Sequence, residues 1–398
     1  MNTHIRTDCV VIGGGPAGLM LGLLLARRGV DVTVVEKHAD FLRDFRGDTI
    51  HPSTQELLIE LGLLDELLRR PHSDMSRVQL SWHGTAVTLA DFSHLPTQRK
   101  VMTFMPQWDF LDMIADAAER LPDFRLLRST TAETVMRDAD GRIIGITATA
   151  PDGGPVQVTA RLVVDASGRD SDVRADAGLT PNRVAAAMDV LWFRLSKHPG
   201  ESFPFMQAGS GMVITIDREG FFQIAYVIPA GSWSGTDEDL LRMRENLREV
   251  SPGLADSIDR EGLTTSDVHL LQVRLERLGR WYTDGLLCIG DAAHAMSPAG
   301  GVGINLAIQD AVATARYLVP VLKVRRPTER DLRKVQRRRT WPVLVTQRIQ
   351  RTAQGPLLSV SQPGSPMPGL LRLLRKFPRL ARIGGRFVGL GARPERLS

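Results

Sequence analysis

An α/β architecture is predicted for this chain of 398 residues: a βαβ unit opens it, a mostly antiparallel sheet interrupts it, and helices close it. Three observations carry that prediction. A glycine-rich turn between an apolar strand and a helix appears near the start, a second such turn appears about 275 residues later, and the stretch between them is rich in alternating β-type segments.

The opening reads as strand Asp8 to Ile12, turn Gly13 to Gly15, helix Pro16 to Arg28 and strand Val32 to Glu36. Helical periodicity resumes at Thr54 to Leu61 and at Trp108 to Leu121, where Phe110, Leu111, Ile114, Ala115 and Ala118 mark one face. From Phe124 to Val164 a strand and hairpins follow, punctuated by Asp140-Gly141 and Asp152-Gly153. Ala187 to Leu275 holds the second sheet, including Gly211 to Ile216 and Phe221 to Ile228, with one helix from Asp237 to Val250. The chain returns through a short apolar strand, Leu286 to Ile289, and a glycine-rich turn to a helix from about Gly301 to Val319. Arg330 to Gln354 also reads as helix, and Gln354 to Gly369 as a linker.

The composition, 43% hydrophobic and 24% charged, excludes wholesale disorder. No apolar run reaches the roughly 18 residues of a spanning helix, and the first residues lack the order of a secretion signal, so a cytoplasmic protein is expected. Cys9 and Cys288 each lie in an apolar run, and two cysteines make neither a disulfide framework nor a four-ligand zinc site. No metal site is expected. Residues 323–398 hold 19 Lys and Arg against 3 Asp and Glu. Leu370 to Leu390 mixes Leu and Phe with Arg, a pattern that suits peripheral contact with a membrane surface, but Pro378 and Gly384 to Gly385 interrupt it, and helices with one core stripe and one solvated face account for it better. No nucleic-acid module accompanies the charge, so no such partner is expected.

In the first glycine motif, Gly13 can make the tight turn, Gly15 lets backbone N–H groups approach a pyrophosphate, and Gly18 allows the helix to pack on the strand. Pro16 and Ala17 begin that helix. Glu36, at the end of the next strand, can accept hydrogen bonds from an adenosine ribose, with Lys37 beside it. In the second motif, Cys288 to Ala311, Gly290-Asp291 follows a strand, and Gly300, Gly301 and Gly303 precede a helix, so a second helix N-terminus faces negative charge.

The pair GGGPAG with a distal Glu and GDAAHAMSPAGGVGIN resembles the flavin-dependent monooxygenases of the p-hydroxybenzoate hydroxylase family. That resemblance implies a Rossmann-like FAD-binding domain, residues 1–184 and 276–322, with an inserted, mostly antiparallel β-sheet substrate domain, residues 185–275, and a basic C-terminal helical segment, residues 323–398. It implies that Asp291 contacts the ribitol and pyrophosphate region, that the backbone of Gly301, Val302, Gly303, Ile304 and Asn305 lies by the flavin ring, and that Pro298 borders the reacting face through its carbonyl. His294 matches the family signature in a structural role. Arg46 aligns with the arginine placed over the FAD, and Gln107 with the residue that hydrogen-bonds the ribitol.

One motif departs from the family pattern. Where these hydroxylases carry Ala-Asp-Gly, this chain reads Asp165-Ala166-Ser167-Gly168, a version that resembles geranylgeranyl reductases and flavin halogenases. The halogenase Trp-x-Trp-x-Ile-Pro motif is absent, since Ile224 to Pro229 keeps only the Ile-Pro.

The activity implied by the resemblance is hydroxylation of an aromatic or polyketide-like small molecule through a flavin C4a-hydroperoxide, with O2 and with NADH or NADPH as transient co-substrate. A flavin-dependent reductase acting on an apolar substrate, and a flavin-binding module without turnover, are the alternatives. Phe205, Met212, Phe222 and Tyr226 are candidates for the substrate face. Phe222, Ile224 and Tyr226 share one face of a strand by period two, and the same pattern suits a packed core.

Overall fold

The computed structural model describes residues 3–42, 49–209, 211–359 and 366–397. Five parallel strands form the heart of its first sheet, in the order Leu286–Cys288, Pro155–Asp165, Thr3–Ile12, Val32–Val35 and Phe124–Leu127. Their apolar runs do not alternate with polar residues because both faces are covered: Cys9 to Ile12 and Val32 to Val35 are all buried. The register sets Leu127, Val35, Ile12, Asp165 and Cys288 side by side, so all five strands end at one edge. Ligands of open α/β sheets bind outside that carboxyl edge.

Helix Pro16–Ala26 is apolar on every side and is buried from Ala17 through Ala26. It lies against the helices Gln107–Glu119 and Val302–Leu322, which explains why it has no polar face. Hairpin strands Thr131–Arg137 and Ile143–Thr149 extend this sheet in antiparallel fashion, as their Asp-Gly turns predict.

The second sheet has the order His269–Leu271, Met188–Ser196, Phe221–Pro229, Met212–Asp217, Met206–Ala208, Arg77–Trp82 and Thr85–Asp91. The last two strands are a difference from the sequence reading. They form a hairpin from inside residues 1–184, turned at His83-Gly84 with His83 at φ 42° and Gly84 at φ 79°, and Arg77–Trp82 pairs in parallel with Met206–Ala208. A boundary at residue 184 therefore does not separate the two sheets. Helices Asp237–Val250 and Pro252–Glu261 cover one face through Leu240, Met243, Leu247, Leu254 and Ile258.

The basic segment is integrated into the fold. Helix Glu329–Ser359 runs beyond the expected Gln354, and residues 360–365, in the expected linker, lie outside the described residues. Helix Ala381–Leu390 continues through Gly384-Gly385, which bring it onto the backbone of Leu89 and Asp91. Among the described residues no helix is long and apolar enough to cross a membrane.

Candidate active site

Each strand end at the carboxyl edge contributes one turn. Gly13, at φ 99°, donates its N–H to the Val35 carbonyl at 2.8 Å, and a Cβ on it would stand 2.6 Å from the Ala166 carbonyl oxygen. Only glycine fits that turn. Gly15 caps the following helix in extended conformation, Pro16 takes the first helical position, and no side chain caps the end. The first N–H groups of a helix have no partner within it, and a Cβ at Gly15 would meet no atom within 4 Å. This is an open, electropositive cradle for a diphosphate.

Glu36 is buried at the end of the neighbouring strand. Its Oε2 accepts the Gly14 N–H at 2.7 Å, and its Oε1 accepts the His38 N–H at 2.9 Å. Lys37 is exposed beside it.

The second glycine turn meets the first directly. Gly290, at φ 60°, lies against Ala17, and a Cβ on it would stand 3.2 Å from the Ala17 methyl. Its N–H donates to Asp310 Oδ2 at 3.0 Å, an oxygen also 2.5 Å from His294 Nε2, while Arg339 Nε donates to Asp310 Oδ1 at 2.8 Å. Burial raises the Asp310 carboxyl, but His294 and Arg339 outweigh it and hold the group below the usual carboxylate range. His294 also packs on Trp281, with ring centroids 4.9 Å apart. It ties the turn to helix Val302–Leu322 rather than facing the cavity edge. Asp291, by contrast, is partly exposed, with Arg169 Nε 3.7 Å from its Oδ2.

The departing Asp165 motif has a bracing role. Asp165 is fully buried and accepts from Ser167 N at 3.0 Å, Ser167 Oγ at 2.6 Å and Ser171 Oγ at 2.6 Å. Ser171 caps a short helix by accepting the Arg174 N–H at 3.0 Å, and Arg174 Nη1 donates to the Ala292 carbonyl at 2.9 Å. The turn after Asp165 is thus bolted to the turn carrying Asp291. Arg169 and Arg174 were not singled out in the sequence. Nothing local marked either one: Ser171 caps through the backbone N–H of Arg174, which any residue other than proline at that position supplies.

At the third turn, helix Val302–Leu322 starts from Gly301 in left-handed conformation, and Gly303 faces open space. The Asn305 side chain is committed within the protein: its Oδ1 accepts from His51 N at 3.0 Å and Thr54 Oγ1 at 2.7 Å, and its Nδ2 donates to the Thr49 and Gly301 carbonyls, both at 3.2 Å. Asn305 can therefore meet a ligand through its backbone alone. Pro298 is exposed, but its carbonyl accepts the Gly301 N–H at 3.0 Å. One lone pair of that oxygen thus closes the glycine turn. Gln107 opens helix Gln107–Glu119 and makes no side-chain hydrogen bond to a described residue. Arg46 lies outside the described residues.

Three of the four substrate-face candidates need correction. Phe222 and Tyr226 point to the helix-covered face of the second sheet and pack with Leu240, Met243 and Leu254. Burial pushes the Tyr226 phenol up to about 12, so it stays protonated at neutral pH. Met212 is buried with Leu80, Trp82 and Leu371, under helix Gly369–Lys376. Period two placed Phe222 and Tyr226 together correctly but could not say which face the helices take. Phe205 is half-buried and meets Phe104 edge-on at 5.2 Å. Phe104 pairs with Thr49 in a small sheet, and Thr49 Oγ1 donates to the Gly301 carbonyl at 3.0 Å. Trp192, Ile214 and Ile216 belong to the same cluster.

Two helix N-termini and a buried carboxylate, gathered on one edge of a parallel sheet beside an aromatic face, define a flavin-dinucleotide enzyme. The open positions at Gly15 and Gly303 and the unspent N–H groups there fit FAD. The chain belongs to the FAD binding domain family, whose pattern matches residues 6–348. It is 33% identical over 360 residues to 6-methylpretetramide 4-monooxygenase of Streptomyces rimosus, covering 90% of this chain and 86% of that one. Para-nitrophenol 4-monooxygenase of a Pseudomonas species is 27% identical, with 79% and 78% covered. Among solved structures, p-nitrophenol 4-monooxygenase PnpA of Pseudomonas putida has the same fold, with a TM-score of 0.77 at 20% identity, covering 98% of this chain and all of that one. The chain is an FAD-dependent monooxygenase with NADH or NADPH as reductant.

Proposed function

We propose that this enzyme, working in the cytoplasm, hydroxylates a planar aromatic molecule of the polyketide type. The carrying observation is the continuous path from Phe205 through Phe104 and Thr49 to the Gly301 carbonyl, which ties an apolar aromatic wall to the turn beside the flavin position. The 33% identity to an enzyme named for a 6-methylpretetramide supports the same substrate class.

Bound FAD would supply the oxygen-transfer chemistry. The protein's share is positional and electrostatic. The helix start at Gly15 would hold the diphosphate, Glu36 the ribose, and Asp291 and Gln107 the ribitol. The N–H groups at Gly303 and Ile304 would lower the cost of negative charge on the reduced ring without a fixed cation. Phe104, Phe205, Trp192 and Ile214 would keep water from the reacting face.

The test is NADH and NADPH oxidation by the flavin-loaded protein, with and without O2, against phenols, fused-ring polyketides and isoprenoids. Substrate-stimulated O2 uptake that places labelled oxygen in a fused-ring product supports the reading. Anaerobic turnover of an isoprenoid overturns it in favour of a reductase.

We also propose peripheral contact with an anionic membrane surface. Support comes from the exposed Leu370, Leu373, Phe377 and Ile383, interspersed with Arg372, Arg375, Lys376 and Arg379. Sedimentation with phosphatidylglycerol vesicles but not phosphatidylcholine vesicles, lost on Phe377→Glu, is expected. Equal recovery with both lipids, or with neither, overturns it.

A further inference from the structure

The acidic residue Glu395 stands alone in its charge class: it is the only Asp or Glu from residue 332 to residue 398. Its side chain is completely buried, and three arginines surround it. Arg338 Nε donates to Oε1 at 2.5 Å, Arg316 Nη1 to Oε2 at 2.7 Å, and Arg339 Nη1 lies 3.4 Å from Oε1. Those partners come from two helices, Val302–Leu322 and Glu329–Ser359. The segment around Glu395 is held as well by Arg28, whose Nη2 donates to the Leu397 carbonyl at 3.0 Å, and by the Leu397 N–H, which donates to Glu60 Oε2 at 2.9 Å.

The network does not stop at the tail. Arg339, itself fully buried, spends its Nε on Asp310, and Asp310 accepts from the Gly290 N–H and contacts His294. One chain of charge-assisted contacts therefore runs Glu395, Arg339, Asp310, Gly290, and Gly290 is the residue before Asp291. A buried charge that loses its partner pulls its neighbours toward other arrangements.

We propose that Glu395 is a positioning residue of the flavin site: the segment 391–397 sets the Gly290–Asp291 turn through Arg339 and Asp310, and FAD binding depends on it. The arginine trio explains why the arrangement needs an acid there. With Glu395 neutral, Arg316, Arg338 and Arg339 lose the anion they share, and Arg339, repelled by the other two and left with Asp310 as its carboxylate partner, shifts and carries the Asp310 carboxylate away from the Gly290 N–H. The proposal rests on the flavin reading given above.

The experiment uses the full chain, stripped of flavin and titrated with FAD by fluorescence quenching, with thermal unfolding of the stripped protein recorded beside it. Glu395→Gln is expected to raise the FAD dissociation constant at least tenfold and to displace the visible absorption band of the bound flavin. Glu395→Asp should recover most of the affinity. Arg393→Gln, an exposed side chain in the same segment, should stay within twofold of the native protein. Should Glu395→Gln fail to fold, Arg338→Gln removes a mostly buried but not fully buried partner and is expected to weaken FAD at least threefold. Affinity and spectrum unchanged in Glu395→Gln, whether or not its unfolding temperature falls, overturn the proposal, as does an Arg338→Gln protein within twofold of native. Failure of the native protein to bind FAD is a different result and strikes the flavin reading itself.

Discussion

Gly290 rests against Ala17, so close that a methyl group on the glycine would stand 3.2 Å from the alanine side chain. That contact joins the two glycine motifs into one site, although more than two-thirds of the chain separates them in sequence. It also predicts how substitutions at different glycines divide.

Gly290→Ala must adopt a left-handed conformation at φ 60° while crowding Ala17, at a cost of about 1 to 3 kcal/mol. Gly15→Ala meets no protein atom and has an ordinary φ. The expected outcome is that Gly290→Ala loses both stability in denaturant and bound flavin, whereas Gly15→Ala keeps its stability and loses flavin alone. Retention of the yellow chromophore by Gly15→Ala would mean that the open space there is not the cofactor's.

As proposed, Glu36 lies at the adenosine end, so Glu36→Gln should discriminate between cofactor fragments. A hydrogen bond to a charged acceptor contributes about 1.5 to 3 kcal/mol, which predicts FAD affinity lowered at least tenfold. Riboflavin, which lacks the adenosine, should bind the variant and the native protein alike. Calorimetric titration with both ligands measures the contrast.

His51 gives the stability a pH dependence. Burial lowers its pKa to about 4, only partly offset by the hydrogen bond to the Val388 carbonyl at 2.7 Å. The unfolded chain takes up the proton near 6.5 and the native state resists it to about 4, so the unfolded state binds more protons between those values. Stability is therefore complete above pH 6.5 and falls by about 3 kcal/mol as the pH drops through that window. His51→Gln should flatten the fall in unfolding temperature between pH 7 and pH 4.5; an identical slope in both proteins would remove His51 as its source.

Phe205 and Phe222 separate the two faces of the second sheet. Phe222→Ala opens a cavity under the covering helices and should cost about 3 to 5 kcal/mol with little change in the yield of product per NAD(P)H. Phe205→Ala, at the half-buried aromatic wall, should cost less stability and raise the fraction of O2 released as hydrogen peroxide, because water gains access to the reacting face. Peroxide and product assays on the two variants read this directly.

Much of the flavin-binding frame was legible because its signals are local. Gly13 to Gly18 need their backbone conformation and close packing at fixed spacing, Glu36 stands at the end of the next strand, and the Asp-Gly turns mark their hairpins. Residues whose roles depend on distant partners were harder to read. The hairpin Arg77 to Asp91 alternates only weakly and takes its place from a parallel pairing with Met206 to Ala208. Gly384 and Gly385 read as interruptions of a helix, yet they are where that helix touches the backbone of Leu89 and Asp91.

By itself the sequence determined the turn chemistry, the strands that end in it and the anion-seeking helix starts, since backbone geometry and periodicity act over a few residues. Which face of the second sheet the helices cover, which carbonyls and side chains are already spent, and where Glu395 anchors its segment were decided by tertiary structure alone. Burial and charge pairing are properties of neighbours in space, and those neighbours come from parts of the chain that no local pattern connects.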